Sequence, residues 1–89
     1  MKKVVNVVEV EGEGLVKLMG ENVMLFCLNY IYSGKLVGVN EKDVLLEDAS
    51  IVYETGELSG KTFKDAQKLP SEWYVKTDCI ESYGLSGRK

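Results

Sequence analysis

The hydrophobic pattern of the chain is densest near its start. Across residues 23–32, VMLFCLNYIY, Asn29 is the one residue polar throughout. The run is rich in β-formers and aromatics, which predicts a first strand. Ser33 and Gly34 then supply turn chemistry before KLVGV, residues 35–39, resumes the apolar pattern as a second strand. The polar quartet Asn40, Glu41, Lys42 and Asp43 predicts another turn. Residues 44–53, VLLEDASIVY, read as a third strand with an irregularity at Asp48, Ala49 and Ser50, so that the first three strands form a meander.

Residues 54–71 hold the single proline and mixed charges, which predicts a long polar excursion with Phe63 as its anchor. EWYVKTD supplies a short fourth strand and CIESY, residues 79–83, a fifth, with a break at residues 76–78. The tail, GLSGRK, is expected to be disordered. Ahead of the meander, Leu15, Leu18 and Met19 share one face of a short helix or turn that Gly20 stops. The pattern assigns no element to residues 4–10, and Glu9, Glu11 and Glu13 alternate as an exposed edge would.

Five strands are too few for a sandwich but enough for a strongly bent, open barrel. Gly34 and Gly38 have no Cβ and mark where such a sheet could bend. In a sheet curled over itself, the first strand meets the core with one set of side chains while a helix or neighbour covers the other. The expectation is therefore an all-β, five-stranded open barrel with a short N-terminal helix, in one domain over residues 1–89.

Composition narrows the function. At 45% hydrophobic and 28% charged residues the chain is that of an ordinary globular domain. A net charge of −3 repels polyanions as a whole, so any nucleic-acid contact must be local. The sequence has no histidine, which removes the commonest general base and metal ligand together; neither an enzyme, a metal nor a cofactor is expected. Cys27 and Cys79 sit far apart inside apolar patterns, which suits two buried, unreactive thiols better than a disulfide or zinc site. No run is long enough to span a membrane, and Glu9 interrupts the N-terminal residues before a signal-like region develops, so a cytoplasmic protein is expected.

Residues 15–49 resemble the first motif of the Sm-like family: an N-terminal helix, Gly-x-x-Val, an apolar run, Gly-x-Leu-x-Gly, an Asp-centred turn, where this chain has Asn40, and a closing Leu-x-Asp-Ala. Gly20, Val23, Gly34, Leu36, Gly38, Leu46, Asp48 and Ala49 fall on it. Residues 75–80, VKTDCI, resemble the family's second motif, with Lys76 where the family has Arg and Thr77 where it has Gly. A flexible point charge thus stands in place of a flat guanidinium. The wear on both motifs is similar to that of divergent bacterial and phage-type members.

The resemblance implies a small SH3-type barrel that assembles into a ring of about five to seven copies. It also implies that Asn40, Lys42, Lys76 and Asp78 face the pore, where repeated lysines would make a local field for single-stranded RNA. The plainer alternative makes them solvated turn residues. An open barrel leaves two strand edges, so Trp73, Tyr74, Val75, Ile80 and Ser82 are the candidate self-association residues. The expected function is a homo-oligomeric binding scaffold for RNA; the alternative is a phage- or cassette-encoded assembly ring that binds protein and no nucleic acid.

Overall fold

The computed structural model describes residues 14–86. Within them six strands make one antiparallel sheet: β1 (Asn22–Cys27), β2 (Ile31–Val39), β3 (Asp43–Glu54), β4 (Asp65–Lys68), β5 (Trp73–Lys76) and β6 (Ile80–Leu85). Helical structure there is limited to two 3-10 turns, Gly14–Leu18 and Thr77–Cys79. The described chain is all-β, and no helix in it is long and apolar enough to cross a membrane.

The path through the sheet runs β4-β3-β2-β1-β6, with β5 also paired to β3. The twelve residues of β3 make this possible. Its C-terminal half pairs with β4, from Ser50 opposite Lys68 to Glu54 opposite Asp65. Its N-terminal half pairs with β5, from Asp43 opposite Lys76 to Leu46 opposite Trp73. Only the 3-10 turn Thr77–Cys79 then separates β5 from β6, yet β6 pairs with β1, at the other end of the path. The sheet must therefore curl until its β3 and β1 edges lie one short turn apart.

Inward side chains at alternate positions of the curled sheet make the core. Val23, Leu25, Leu36, Val44, Leu46 and Ala49 are fully buried, and Val75 of β5 joins them. Each large aliphatic buried there contributes roughly 1.5–3 kcal/mol. Leu15 and Leu18, from the first 3-10 turn, pack against this cluster. Met19 does not share in that packing and is 44% exposed. Gly20 ends the turn with a φ of 85°, a left-handed conformation that favours glycine.

The tightest point of the sheet is where β2 passes β3. A Cβ on Gly34 would stand 3.1 Å from the Ala49 Cα and 3.1 Å from the Glu47 carbonyl oxygen. The register slips here, from Ser33 opposite Ser50 to Lys35 opposite Glu47. Asp48 absorbs the slip with a φ of 52°. The expected irregularity at residues 48–50 is thus a bulge that bends β3 between its two partners.

The structure corrects several expectations. Residues 23–32 are not one strand: β1 ends at Cys27, residues 28–30 turn the chain, and the Cys27 N–H donates to the Tyr30 carbonyl at 2.9 Å. Asn29 is the turn former in that run, and Leu28 tolerates 76% exposure beside it. Ser33 and Gly34 therefore lie inside β2, both buried, where close approach rather than a turn demands the glycine. On the second face of β1 Met24 is buried and Phe26 half-buried, and the two line a groove of about 470 Å3 with Leu58, Tyr83 and Leu85, so among the described residues it is neighbours rather than a helix that cover this face.

The polar excursion contains a strand, β4, so the described residues hold six strands rather than five. Asp65, Ala66, Gln67 and Lys68 are all exposed, and their extended form comes from pairing with the overhanging half of β3. The last strand runs on through Gly84 and Leu85, and Ser86 donates its N–H to the Asn22 carbonyl at 2.8 Å. Residues 4–10, the acidic alternation at Glu9, Glu11 and Glu13, and the last three residues of the expected disordered tail lie outside the described residues.

Gly34→Ala is expected to destabilise the fold by about 1–3 kcal/mol, because backbone on the facing strand cannot step aside. Gly38→Ala, whose new carbon would meet the Leu45 Cβ at 3.3 Å and nothing else closer than 4.0 Å, is expected to cost less, since one slightly tight contact replaces the three at Gly34. Urea unfolding of the two variants checks this; equal midpoints would refute the close-crossing account.

Candidate functional site

The turn between β2 and β3 is built around Asn40. Its Oδ1 accepts the N–H groups of Lys42 at 2.8 Å and Asp43 at 3.0 Å. Its Nδ2 donates to the Asp43 carboxylate at 3.1 Å, and its own N–H donates to the Asp43 carbonyl at 3.0 Å. A short amide side chain does all of this locally, which is why such residues dominate turns. Asn40 is therefore committed to shaping the turn, and Lys42 is projected from it into solvent.

The second turn, Thr77–Cys79, docks on the first. Thr77 donates its N–H to the Lys42 carbonyl at 2.9 Å and its hydroxyl to the Glu41 carbonyl at 2.8 Å. Asp43 and Lys76 are register partners across β3 and β5. The residues singled out in the sequence, Asn40, Lys42, Lys76 and Asp78, are thus brought onto one rim although 36 residues separate Asn40 from Lys76. Lys42, Lys76 and Asp78 are exposed. Two lysines share the rim with the carboxylates of Glu41, Asp43 and Asp78, so its charge is mixed rather than cationic.

The candidate self-association residues divide by direction. Val75 is buried in the core, and Trp73 and Ile80 pack against it. Tyr74 is 66% exposed and Ser82 is exposed as well. Among the described residues β5 pairs with β3 alone and β6 with β1 alone. Of the candidates only Tyr74 and Ser82 face outward, beside the exposed Lys76, Glu81, Tyr83 and Leu85 of the same two strands.

Sequence reading missed three features. Thr77 ties the two turns together. A polar cleft of about 810 Å3 lies between the start of β1, the Gly34 crossing and the loop before β4. On its wall Lys68 pairs with Asp48 at 3.6 Å, both well exposed, a contact worth little in water. The third feature is the cysteine pair. Cys27 and Cys79 are half-buried rather than buried, and they are neighbours.

The Leu28 N–H donates to the Cys79 carbonyl at 3.2 Å, and the Cys79 thiol donates to the Lys76 carbonyl at 3.1 Å. Burial first, then a hydrogen bond to the Cys79 thiol and the charges of Cys79 and Glu81, push the Cys27 thiol from an ordinary 9.0 up to about 12. Tyr32 is raised too, first by its own burial and then by the two cysteines beside it.

Compared with models of known protein families the chain matches none, and no curated protein matches it.

Two outcomes are expected from this geometry. Thr77→Val removes the hydroxyl that holds the turns together and is expected to cost about 0.5–1.5 kcal/mol, with faster hydrogen exchange at the residue 77 amide. Thr77→Ser keeps the hydroxyl and should restore both; failure to do so would show that packing of the methyl, not the hydrogen bond, joins the turns. The second outcome is a pH dependence. Below about pH 9 Cys27 is protonated in folded and unfolded chains alike, whereas above it the unfolded chain gives up this proton while the folded one retains it to about 12. Stability therefore falls as pH rises through that window. Urea midpoints at about pH 8 and about pH 10.5 should fall further for the unmodified protein than for Cys27→Ser; equal falls would contradict the assignment.

Proposed function

We propose that the chain is an Sm-like open barrel that joins copies of itself into a closed ring, and that the ring is a scaffold for single-stranded RNA. One observation carries the reading: β5 and β6 sit at opposite ends of the curled sheet, one 3-10 turn apart, and each is paired on one side only among the described residues. Two short unpaired edges on one subunit, held at a fixed angle by the curl, are what a head-to-tail contact needs. Pairing β5 of one copy with β6 of the next satisfies the backbone groups of both. The twist of the sheet supplies the rotation that closes the series.

Within such a ring the rim of Asn40, Lys42, Lys76 and Asp78 is repeated in every copy. Repetition matters because it sets the two lysines of every subunit around one rim, where they alternate with the carboxylates of Glu41, Asp43 and Asp78. The chain as a whole, at a net −3, confines RNA contact to the lysines of that rim. A second reading, an assembly ring that binds a protein and no nucleic acid, draws on the carboxylates of Glu41, Asp43 and Asp78 that share the rim. Both readings need the ring, and they part on the ligand.

Sedimentation of the unmodified protein at micromolar concentration should show one species of several subunits. Tyr74→Arg combined with Ser82→Arg should give monomers with an unchanged melting curve, since both side chains point away from the core. A monodisperse monomer from the unmodified chain would remove the ring. Fluorescence anisotropy with U-rich and A-rich oligonucleotides should show binding that weakens steeply with salt and is lost in Lys42→Ala with Lys76→Ala. An intact ring that binds neither oligonucleotide at low salt would favour the protein-binding reading instead.

A further inference from the structure

The two cysteines come from opposite ends of the sequence, yet the fold sets them side by side. Cys27 is the last residue of β1 and Cys79 the last of the 3-10 turn between β5 and β6. The register of these strands slips between Phe26 and Cys27, so that Phe26 faces Ser82 while Cys27 faces Ile80. The slip draws Cys79 level with the end of β1, where its carbonyl accepts the Leu28 N–H. Cys27 also lines a hollow of about 250 Å3 with Leu28, Tyr30 and Tyr53, an opening large enough for a small oxidant.

We propose that Cys27 and Cys79 are a reversible redox clasp, closed by a peroxide into a disulfide between the end of β1 and the turn that carries Asp78, and opened by an external thiol. In the closing reaction the Cys27 sulfur, reached through the hollow, attacks the peroxide O–O bond and becomes a sulfenic acid as the first oxygen leaves as water or an alcohol. The Cys79 sulfur then attacks the sulfenic sulfur, and hydroxide leaves with the second thiol proton as water. Two thiols lose two electrons in all, and the two peroxide oxygens gain them. Opening is thiol–disulfide exchange: one external thiol forms a mixed disulfide, and a second releases it as an external disulfide.

Closing the clasp changes the neighbouring turn. In the reduced protein the Cys79 S–H donates to the Lys76 carbonyl. The disulfide has no such proton, so this carbonyl loses its donor and the turn between Lys76 and Ile80 must settle differently. Burial, which first of all holds Cys27 as a thiol, makes closure slow at neutral pH, because the thiolate is the attacking form. The clasp does not depend on the ring or on RNA.

The test is oxidation of the full protein by hydrogen peroxide, followed by intact mass measurement and peptide mapping without reductant, alongside Cys27→Ser and Cys79→Ser. A product lighter by two hydrogens, with residues 27 and 79 linked within one chain and the free thiols regenerated by dithiothreitol, is the expected result. Amide resonances of Thr77 and Asp78 should shift on closure and return on reduction, while the two serine variants show neither the mass loss nor the shift. Sulfinic or sulfonic acid at one cysteine with the other left free, or linkage only between chains, would overturn the clasp. An intrachain disulfide that leaves the Thr77 and Asp78 amides unmoved would overturn its coupling to the turn.

Discussion

The close passage of β2 over β3 at Gly34 is the constraint on which the rest of the structure depends. With the Ala49 Cα and the Glu47 carbonyl each 3.1 Å from where a Cβ would stand, only a residue without a side chain lets the two strands approach. The approach in turn allows β3 to bulge at Asp48 and change direction. A straight strand of twelve residues would carry β4 and β5 along one flat edge. The bent one turns its N-terminal half toward β1, so that three residues suffice to carry the chain from β5 to β6. The core forms inside that curl, and its buried leucines and valines then hold the bend in place.

The same bend assembles the rim. Because β5 pairs with the N-terminal half of β3, Lys76 ends opposite Asp43, the residue that closes the Asn40 turn. Each turn is simple in itself. Their union rests on Thr77, which spends both its N–H and its hydroxyl on carbonyls of the other turn. A glycine at that position could offer the N–H alone, so the threonine adds a second tie. Chemistry at this rim is thus set by Lys42, Lys76 and the neighbouring carboxylates, with Asn40 and Thr77 as its framework.

What the sequence disclosed follows the range of each interaction. The bulge at residues 48–50 was legible because polar Asp48 and Ser50 interrupt an apolar strand, and the Asn40 turn because four polar residues stand together between apolar runs. The turn at residues 28–30 was not, since Leu28 and Tyr30 are apolar and exposed while Ser33-Gly34 carries a stronger turn signal nearby. Nothing in Asp65, Ala66, Gln67 and Lys68 favours a strand; β4 exists because β3 overhangs its other partner, a long-range cause. The rim residues were found through the motif resemblance, but the tie through Thr77 and the meeting of Cys27 with Cys79 join points about 36 and 52 residues apart, beyond the reach of any local pattern.

Unexpected β4 also bears on how far association can run. A long strand such as β3, left open on one side, would offer a continuous template for unlimited pairing. Here its outer side is divided between two short strands. One of them, β4, is wholly exposed and carries Asp65, Gln67 and Lys68, with Asp48 and Lys68 paired across its end. Charge and polarity of this kind are the usual protection of an edge. The other, β5, sets Trp73 and Val75 inward and shows only Tyr74 to solvent from its middle. The open edge that remains is therefore four residues long, and β6, with six residues and one partner among the described residues, is a match for it in length. The proposed contact between copies, being so short, would be geometrically specific, because a slip of one residue would set the alternating side chains of the two strands out of step. An edge limited in this way favours one repeated interface at one angle over open-ended stacking, which is the condition under which a series of copies can close.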